Sequence, residues 1–173
     1  MAFIYQYYVE GENEKKLVEV LSKEFNFIKA GKVEVLNVVE KPIKNTRIRN
    51  FKENHVIILV FDTDTNNTKT LEANIECLKC LVKSKKIRDV ILIPQVRNIE
   101  EELVRSCNIN NIKDLLKSKS KEEFKTDFNK ATNLKNCLIK KCFDFKKLWR
   151  TKPVGVFSGF KCELSKLENK NFQ

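Results

Sequence analysis

The sequence predicts an α/β fold in which a mostly parallel sheet of about four strands is flanked by helices, followed by a C-terminal helical extension. Short apolar runs of strand length alternate with longer segments whose apolar residues recur every three or four positions. One run, His55–Phe61, is apolar almost throughout, which is typical of a strand covered on both faces. The length of 173 residues suits one domain with a small appendage and excludes a large multidomain enzyme.

The first predicted elements are a strand, a helix and a second strand. Phe3–Val9 is rich in aromatic and β-branched residues and ends at Glu10-Gly11, so it predicts a strand closed by a turn. From Asn13 the apolar residues fall at helical spacing, which predicts a helix that continues to about Phe25. Val33–Val39 predicts the second strand.

The third and fourth strands enclose another helix. The basic stretch Lys44–Lys52 is expected to be a loop or an irregular edge before the third strand, His55–Phe61. Apolar residues at helical spacing predict a helix over Leu71–Val82, and Asp89–Ile93 predicts the fourth strand.

We expect an α/β domain over residues 1–107 and a basic helical extension over residues 108–173 that packs on it. Ser120 and Glu123 have the spacing of a capping box and predict the start of a helix, and a further helix is expected to begin near Thr132 or Asn133. Near the end of the chain, Val154–Phe157 predicts a short strand.

The net charge of +11 is concentrated in the extension. Residues 108–173 carry 16 basic and 7 acidic side chains, whereas residues 1–107 are nearly balanced. This asymmetry favours a nucleic-acid partner, although a generally lysine-rich surface is the alternative, since 28 of the 34 basic residues are lysines. The residues expected to contact phosphate are Lys44, Arg47, Arg49, Lys119, Lys121 and Lys125.

The sequence predicts a cytoplasmic protein that does not enter a membrane. Its longest apolar run is far shorter than the roughly 20 residues of a membrane-spanning helix, and the N-terminus does not resemble an export signal. In a reducing compartment the six cysteines are expected to be free and to behave as small buried hydrophobes. Cys77 and Cys80 form a C-x-x-C pair, but no matching second pair supports a zinc site.

Carboxylates follow three of the predicted strands. Glu10 follows the first, Asp62 and Asp64 follow the third, and the segment Glu100–Glu102 lies after the fourth. Because the carboxyl ends of parallel strands lie at one edge of a sheet, these acids are expected to converge there. Crowded carboxylates repel one another unless a cation is bound, and hard ions such as Mg²⁺ or Mn²⁺ prefer oxygen ligands. The alternative for Asp64 is a turn or helix-capping role.

Two of these segments, YVEGENE at Tyr8–Glu14 and VFDTD at Val60–Asp64, resemble the two sequence signatures of the TOPRIM domain. That domain is shared by topoisomerases, bacterial primases and the overcoming-lysogenization-defect (OLD) nucleases. The resemblance covers roughly residues 3–107 and is most like the stand-alone and OLD-type defence branch. The segment RNIEEEL at Arg97–Leu103 is similar to the acidic motif that follows the last core strand in that branch.

The resemblance implies a Mg²⁺-dependent nuclease acting on DNA or RNA in phage defence. It assigns Glu10 to acid–base chemistry or metal binding, and Asp62 and Asp64 to the metal. Further expected residues are Glu14 and one of Glu100, Glu101 or Glu102 for a second ion, and Arg97 for the charge that develops on phosphate. No P-loop motif is present in the sequence, so ATP hydrolysis would belong to a separate ATPase partner. The alternative is a non-catalytic TOPRIM-like module that binds nucleic acid or recruits a partner.

Overall fold

Four parallel strands form the centre of the molecule in the computed structural model, which describes residues 2–170. The strands are β1 (Ile4–Val9), β2 (Lys32–Val35), β3 (His55–Asp62) and β4 (Asp89–Gln95). Their order across the sheet is β2-β1-β3-β4, and every neighbouring pair is parallel. Met1 and residues 171–173, which the predicted domain and extension include, lie outside the described residues.

Helices connect the strands and build the extension. Within residues 2–170 the α-helices are α1 (Glu12–Glu19), α2 (Asn45–Arg49), α3 (Lys69–Lys83), α4 (Ile99–Ser106), α5 (Lys113–Leu116), α6 (Lys121–Lys130) and α7 (Leu134–Lys140). A π-helical segment, Val20–Glu24, continues α1, and 3₁₀ turns occur at Gly155–Phe157 and Leu164–Lys166. The sequence therefore predicted the fold class correctly.

The sheet has a hydrophobic core on each face because successive side chains of a strand point to opposite sides. Val9, Ile58 and Ile93 belong to the core that also contains residues of α1, α4 and the extension. On the other face, Leu59 and Phe61 belong to a core shared with α3. Both faces of the central strand β3 are buried, which accounts for its nearly continuous apolar sequence.

The extension completes the first core and covers the outer edge of β4. Phe124 and Phe128 of α6 are fully buried in the same core cluster as residues of α1. At the sheet edge, the backbone N–H of Glu163 donates to the carbonyl of Leu92 (2.9 Å), and the N–H of Leu92 donates to the Glu163 carboxylate (3.1 Å). These bonds satisfy backbone groups that an edge strand would otherwise expose.

Three sequence predictions are corrected. Lys44–Lys52 contains a short helix, α2, rather than only a loop or irregular edge. The second strand ends at Val35 instead of Val39, because the side chain of Asn37 accepts a hydrogen bond from the backbone of Val39 (3.0 Å) and turns the chain. The expected strand near the C-terminus is a 3₁₀ turn, in which Gly155 adopts a φ of +61° that a strand does not use.

The capping prediction for the extension is confirmed. The hydroxyl of Ser120 accepts a hydrogen bond from the backbone N–H of Glu123 (3.0 Å), and α7 begins directly after Asn133. The six cysteines are free, as expected, but none is fully buried: Cys77, Cys80 and Cys142 are exposed, and the other three are half-buried. No helix within residues 2–170 is long and apolar enough to cross a bilayer.

Candidate active site

The strands that follow β1 and β3 in the chain lie on opposite sides of this central pair. From β1 the chain continues to β2 on one side, and from β3 it continues to β4 on the other. The carboxyl ends of two such strands border a crevice, which is where open α/β sheets bind ligands. Glu10 directly follows β1, and Asp62 is the last residue of β3. The structure brings them together, since the backbone N–H of Asp62 donates to Oε2 of Glu10 at 3.3 Å.

A cleft of about 350 Å³ opens at this point. Its walls come from the β1–α1 turn, the end of β3, the start of α4 and helix α6 of the extension. The lining residues are Glu10, Gly11, Glu12, Asn13, Glu14, Asp62, Asp64, Asn98, Glu100, Lys125 and Asn129. Six of them are acidic and one is a lysine, so the cleft is strongly negative when its carboxyl groups are ionised.

Gly11 leaves room for the Glu14 carboxylate where the chain enters α1. A Cβ atom at Gly11 would lie 2.9 Å from Oε2 of Glu14, closer than such contacts ordinarily allow. The carboxylate of Glu14 folds back over this turn and accepts hydrogen bonds from the backbone N–H groups of Gly11 and of Glu14 itself. Glu14 is thereby held in the cleft with only 6% of its surface exposed.

Burial and mutual repulsion shift the acids of the cleft toward their protonated forms. Burial, reinforced by the charges of Glu10, Glu14, Asp64 and Glu100, raises the pKa of Asp62 to about 9. Burial also raises the pKa of Glu14 to about 7, against the lowering effect of its backbone hydrogen bonds. The pKa of Glu10 is raised by burial as well, although the hydrogen bond from Asp62 opposes the shift. Without a cation, the cleft therefore retains protons at neutral pH.

Two buried oxygen atoms of the cleft have no hydrogen-bond donor within residues 2–170. They are Oδ1 of Asp62 and Oδ1 of Asn13. Oε1 of Glu100 also accepts no hydrogen bond, and it lies 3.4 Å from Nζ of Lys125 in an ion pair. Buried acceptors without partners are rare, because each costs the free energy of its lost hydration. Unpaired oxygen atoms beside several carboxyl groups suit a hard divalent cation.

The carboxylates do not form a complete ligand set in their present rotamers. Among the described residues, no three or more His, Cys, Asp or Glu side chains are close enough together to hold one ion. Side-chain rotation would have to bring them onto a common cation. The donor chemistry fits Mg²⁺ or Mn²⁺, which bind to a few carboxylates and retain several water molecules.

The three consecutive glutamates of α4 have different environments. Glu100 lines the cleft, whereas Glu101 is half-buried outside it. Glu102 is fully buried and points into the protein, where its oxygens accept hydrogen bonds from the backbone of Val96 (2.8 Å) and Trp149 (3.0 Å). It also forms an ion pair with Arg105 at 2.8 Å. Of these three residues, the structure therefore places only Glu100 among the cleft residues, and Glu101, also expected as a metal ligand, is elsewhere.

Arg97 was expected beside the acids, but its side chain is exposed and does not line the cleft. Its backbone instead joins the loops that follow β3 and β4. The N–H of Arg97 donates to the hydroxyl of Thr63 (2.9 Å), and the N–H of Thr63 donates to the carbonyl of Arg97 (3.0 Å). Arg97 thus holds the loop between Asp62 and Asp64 without directing its charge into the cleft.

Of the six basic residues expected to contact phosphate, only Lys125 lines the cleft. Lys119 and Lys121 are exposed on either side of the residue that caps α6. Arg49 is exposed at the end of α2, and Arg47 forms an ion pair with Glu34 (3.4 Å). The sixth residue, Lys44, is exposed before the first turn of α2. The basic residues around α2 and those around the start of α6 therefore do not form one continuous lining of the cleft.

Three asparagines that were not predicted from the sequence also line the cleft: Asn13, Asn98 and Asn129. Asn129 lies four residues after Lys125 on α6, and this spacing places both on one helix face. Asn98 caps α4 by accepting a hydrogen bond from the backbone of Glu101 (3.1 Å). An asparagine before a helix was the available signal for Asn98, but nothing in the sequence linked α6 to the cleft.

Comparisons of the chain with protein-family models, with curated proteins and with solved structures found no match. The molecule is an α/β protein with an acidic cleft at the switch point of a parallel sheet. Its function must therefore be inferred from the chemistry of that cleft.

Proposed function

We propose that the chain is a Mg²⁺- or Mn²⁺-dependent nuclease that hydrolyses phosphodiester bonds of DNA or RNA in this cleft. The observation that carries the proposal is the environment of Asp62. One of its carboxyl oxygens is buried without a hydrogen-bond donor in the described structure, and its backbone bonds to Glu10. A divalent cation would supply the missing partner and offset the repulsion among the acids.

The carboxylates divide into two candidate ligand groups. Glu10, Asp62 and Asp64 follow the two central strands and would hold the first ion, while Glu14 and Glu100 would contribute to a second. Such ions, when bound, stabilise negative charge on phosphate and activate water for attack on phosphorus.

Two further residues of the cleft bear on the reaction. Burial raises the pKa of Glu14 to about 7 in the metal-free cleft, so its carboxyl group would release a proton when the second ion binds. Lys125 lies on α6 with its ammonium group 3.4 Å from Glu100. We propose that this ammonium group turns to a phosphate oxygen when the substrate enters, because an ion bound by Glu100 would compete with Lys125 for that carboxylate.

The resemblance to TOPRIM nucleases and the basic extension support nucleic acid as the substrate. Lys121 and Lys125 are four residues apart on α6, so a strand held along this helix would lead into the cleft. We further propose a cytoplasmic role in phage defence. Any ATP hydrolysis would be supplied by a separate partner, since the sequence contains no P-loop.

The test is cleavage of plasmid DNA and of RNA by the wild type and by matched variants in Mg²⁺ or Mn²⁺. Glu10→Gln and Asp62→Asn should each lower the rate by about 100-fold or more, since each removes a charged cleft group without changing its size. Glu101→Gln is the control, because this residue is on the same helix as Glu100 but outside the cleft. Equal activity in all variants would contradict the proposal. Salt-sensitive binding without cleavage by the wild type would favour the non-catalytic module.

A further inference from the structure

A second concave site lies in the extension, where residues 149–153 face Ser158 and residues 160–162. Its volume is about 510 Å³, within the range of small-molecule binding sites. None of its lining residues also lines the acidic cleft. The two sites therefore have independent walls and can be altered separately.

The charge of this second site is opposite to that of the cleft. Its lining contains Arg150, Lys152 and Lys161 and no carboxylate. Arg150 forms an ion pair with Glu168, which lies outside the lining. Lys152 and Lys161 are exposed, and neither has an ion-pair partner among residues 2–170. Two lysine ammonium groups without ion-pair partners in the same lining favour an anionic ligand.

The site also has an aromatic wall. The ring of Phe160 is half-buried and is held in an edge-to-face contact by Phe61 of β3, with the ring centroids 6.0 Å apart. A second contact, with Phe157, has a centroid distance of 5.8 Å. Trp149 also lines the site and is 1% exposed, and its indole N–H has no hydrogen-bond acceptor within the described residues. A planar ligand could stack on Phe160 without reorganising the wall.

We infer that this site binds a nucleotide, with the base against Phe160 and the phosphate between Lys152 and Lys161. The combination of an aromatic wall and unpaired cations selects a ligand that is both planar and anionic. The volume is larger than a phosphate ion alone requires. A free nucleotide and the end of a single strand share this chemistry, and the experiment distinguishes the two sources. The inference does not depend on the proposed nuclease activity.

Trp149 provides the measurement, because it is the only tryptophan in the chain. Its fluorescence should change saturably when AMP is added to the full-length protein in EDTA, which prevents metal-dependent cleavage. Adenosine, which lacks the phosphate, should bind at least about tenfold more weakly. A single-stranded pentanucleotide is titrated in parallel. A response to the pentanucleotide but not to AMP would identify a strand end as the ligand, provided that it depends on the same two lysines.

Three variants test the assignment of the contacts. Replacing Lys152 and Lys161 together by glutamate should weaken binding at least about tenfold, and this change lies on the exposed surface, where it should not disturb folding. Phe160→Leu keeps an apolar side chain but removes the stacking ring, and should weaken binding at least about fivefold. Lys140→Glu is the control. It lies on the exposed surface of α7 and changes the net charge by as much as one of the two lysine replacements.

The inference is overturned if neither probe changes Trp149 fluorescence saturably at millimolar concentration. It is equally overturned if the double lysine variant binds both probes as tightly as the wild type. The nucleotide site and the nuclease activity are tested separately. If the nucleotide site does not exist, the loss of cleavage expected for Glu10→Gln and Asp62→Asn is unaffected.

Discussion

Asp62→Asn should stabilise the metal-free protein even though it removes a group that we assign to catalysis. The side chain is 8% exposed and lies among other acids, and its pKa rises from 3.8 to about 9. A carboxyl group whose folded pKa exceeds its unfolded pKa favours the folded state most at low pH. Its favourable contribution is lost progressively as the pH rises from about 4 to about 9. Asparagine imitates the neutral carboxyl group and removes this dependence.

The size of the expected stabilisation follows from the difference between the pH and the pKa of Asp62 in the unfolded chain. At pH 7 this difference is about 3 pH units, which corresponds to about 4 kcal/mol at 1.36 kcal/mol per unit. We expect a gain of about 2 to 4 kcal/mol, since rotation of the carboxyl group toward solvent lowers the cost of its ionisation. At pH 5 the gain should fall to about a third of its value at pH 7.

Urea unfolding of the wild type and of Asp62→Asn in EDTA, at several pH values, measures this difference. Asp64→Asn is the control, because Asp64 is exposed and borders the same cleft. Adding Mg²⁺ should stabilise the wild type and have little effect on Asp62→Asn. Burial of an acidic Asp62 would be contradicted if Asp62→Asn were less stable than the wild type at pH 7, or if the stability difference did not depend on pH.

Three further changes test the packing and the charges. Gly31→Ala should lower the free energy of unfolding by about 3 kcal/mol, because its Cβ would lie 2.2 Å from the carbonyl oxygen of Tyr5; normal stability in urea would contradict this contact. Glu102→Ala should cost about 2 to 5 kcal/mol in the same assay, since it leaves the backbone N–H groups of Val96 and Trp149 without their acceptor, and a loss below about 1 kcal/mol would be inconsistent with that role. Lys125→Ala should raise the KM for nucleic acid about fivefold with little change in kcat, and an unchanged KM would remove Lys125 from substrate binding.

The sequence predicted the sheet well because its strands carry strong local signals. His55–Phe61 is apolar throughout except for its first residue, and the structure buries both faces of that strand. Val154–Phe157 has a similar β-branched composition, but Gly155 adopts a left-handed conformation there and the segment pairs with none of the four strands within residues 2–170. Short segments without a periodic pattern take their conformation from tertiary contacts, which composition does not encode.

The candidate site was predictable only in part. The rule that ligands bind at the carboxyl ends of parallel strands located Glu10 and Asp62 correctly. It did not reveal that Glu102 would point inward to hold Trp149. It also gave no indication that α6 would bring Asn129 into the cleft, because the docking of that helix depends on Phe128 and its neighbours in the shared core. Contacts between distant segments decide such positions.

We propose that the acids after β1 and β3 bind a divalent cation together. The most direct test is a crystal structure of the protein grown with Mn²⁺, with the ion located by its anomalous scattering. We expect a peak bound by carboxylate oxygens of both Glu10 and Asp62, at distances of about 2.2 Å. Full occupancy of manganese elsewhere, with Oδ1 of Asp62 still without a partner, would contradict the claim.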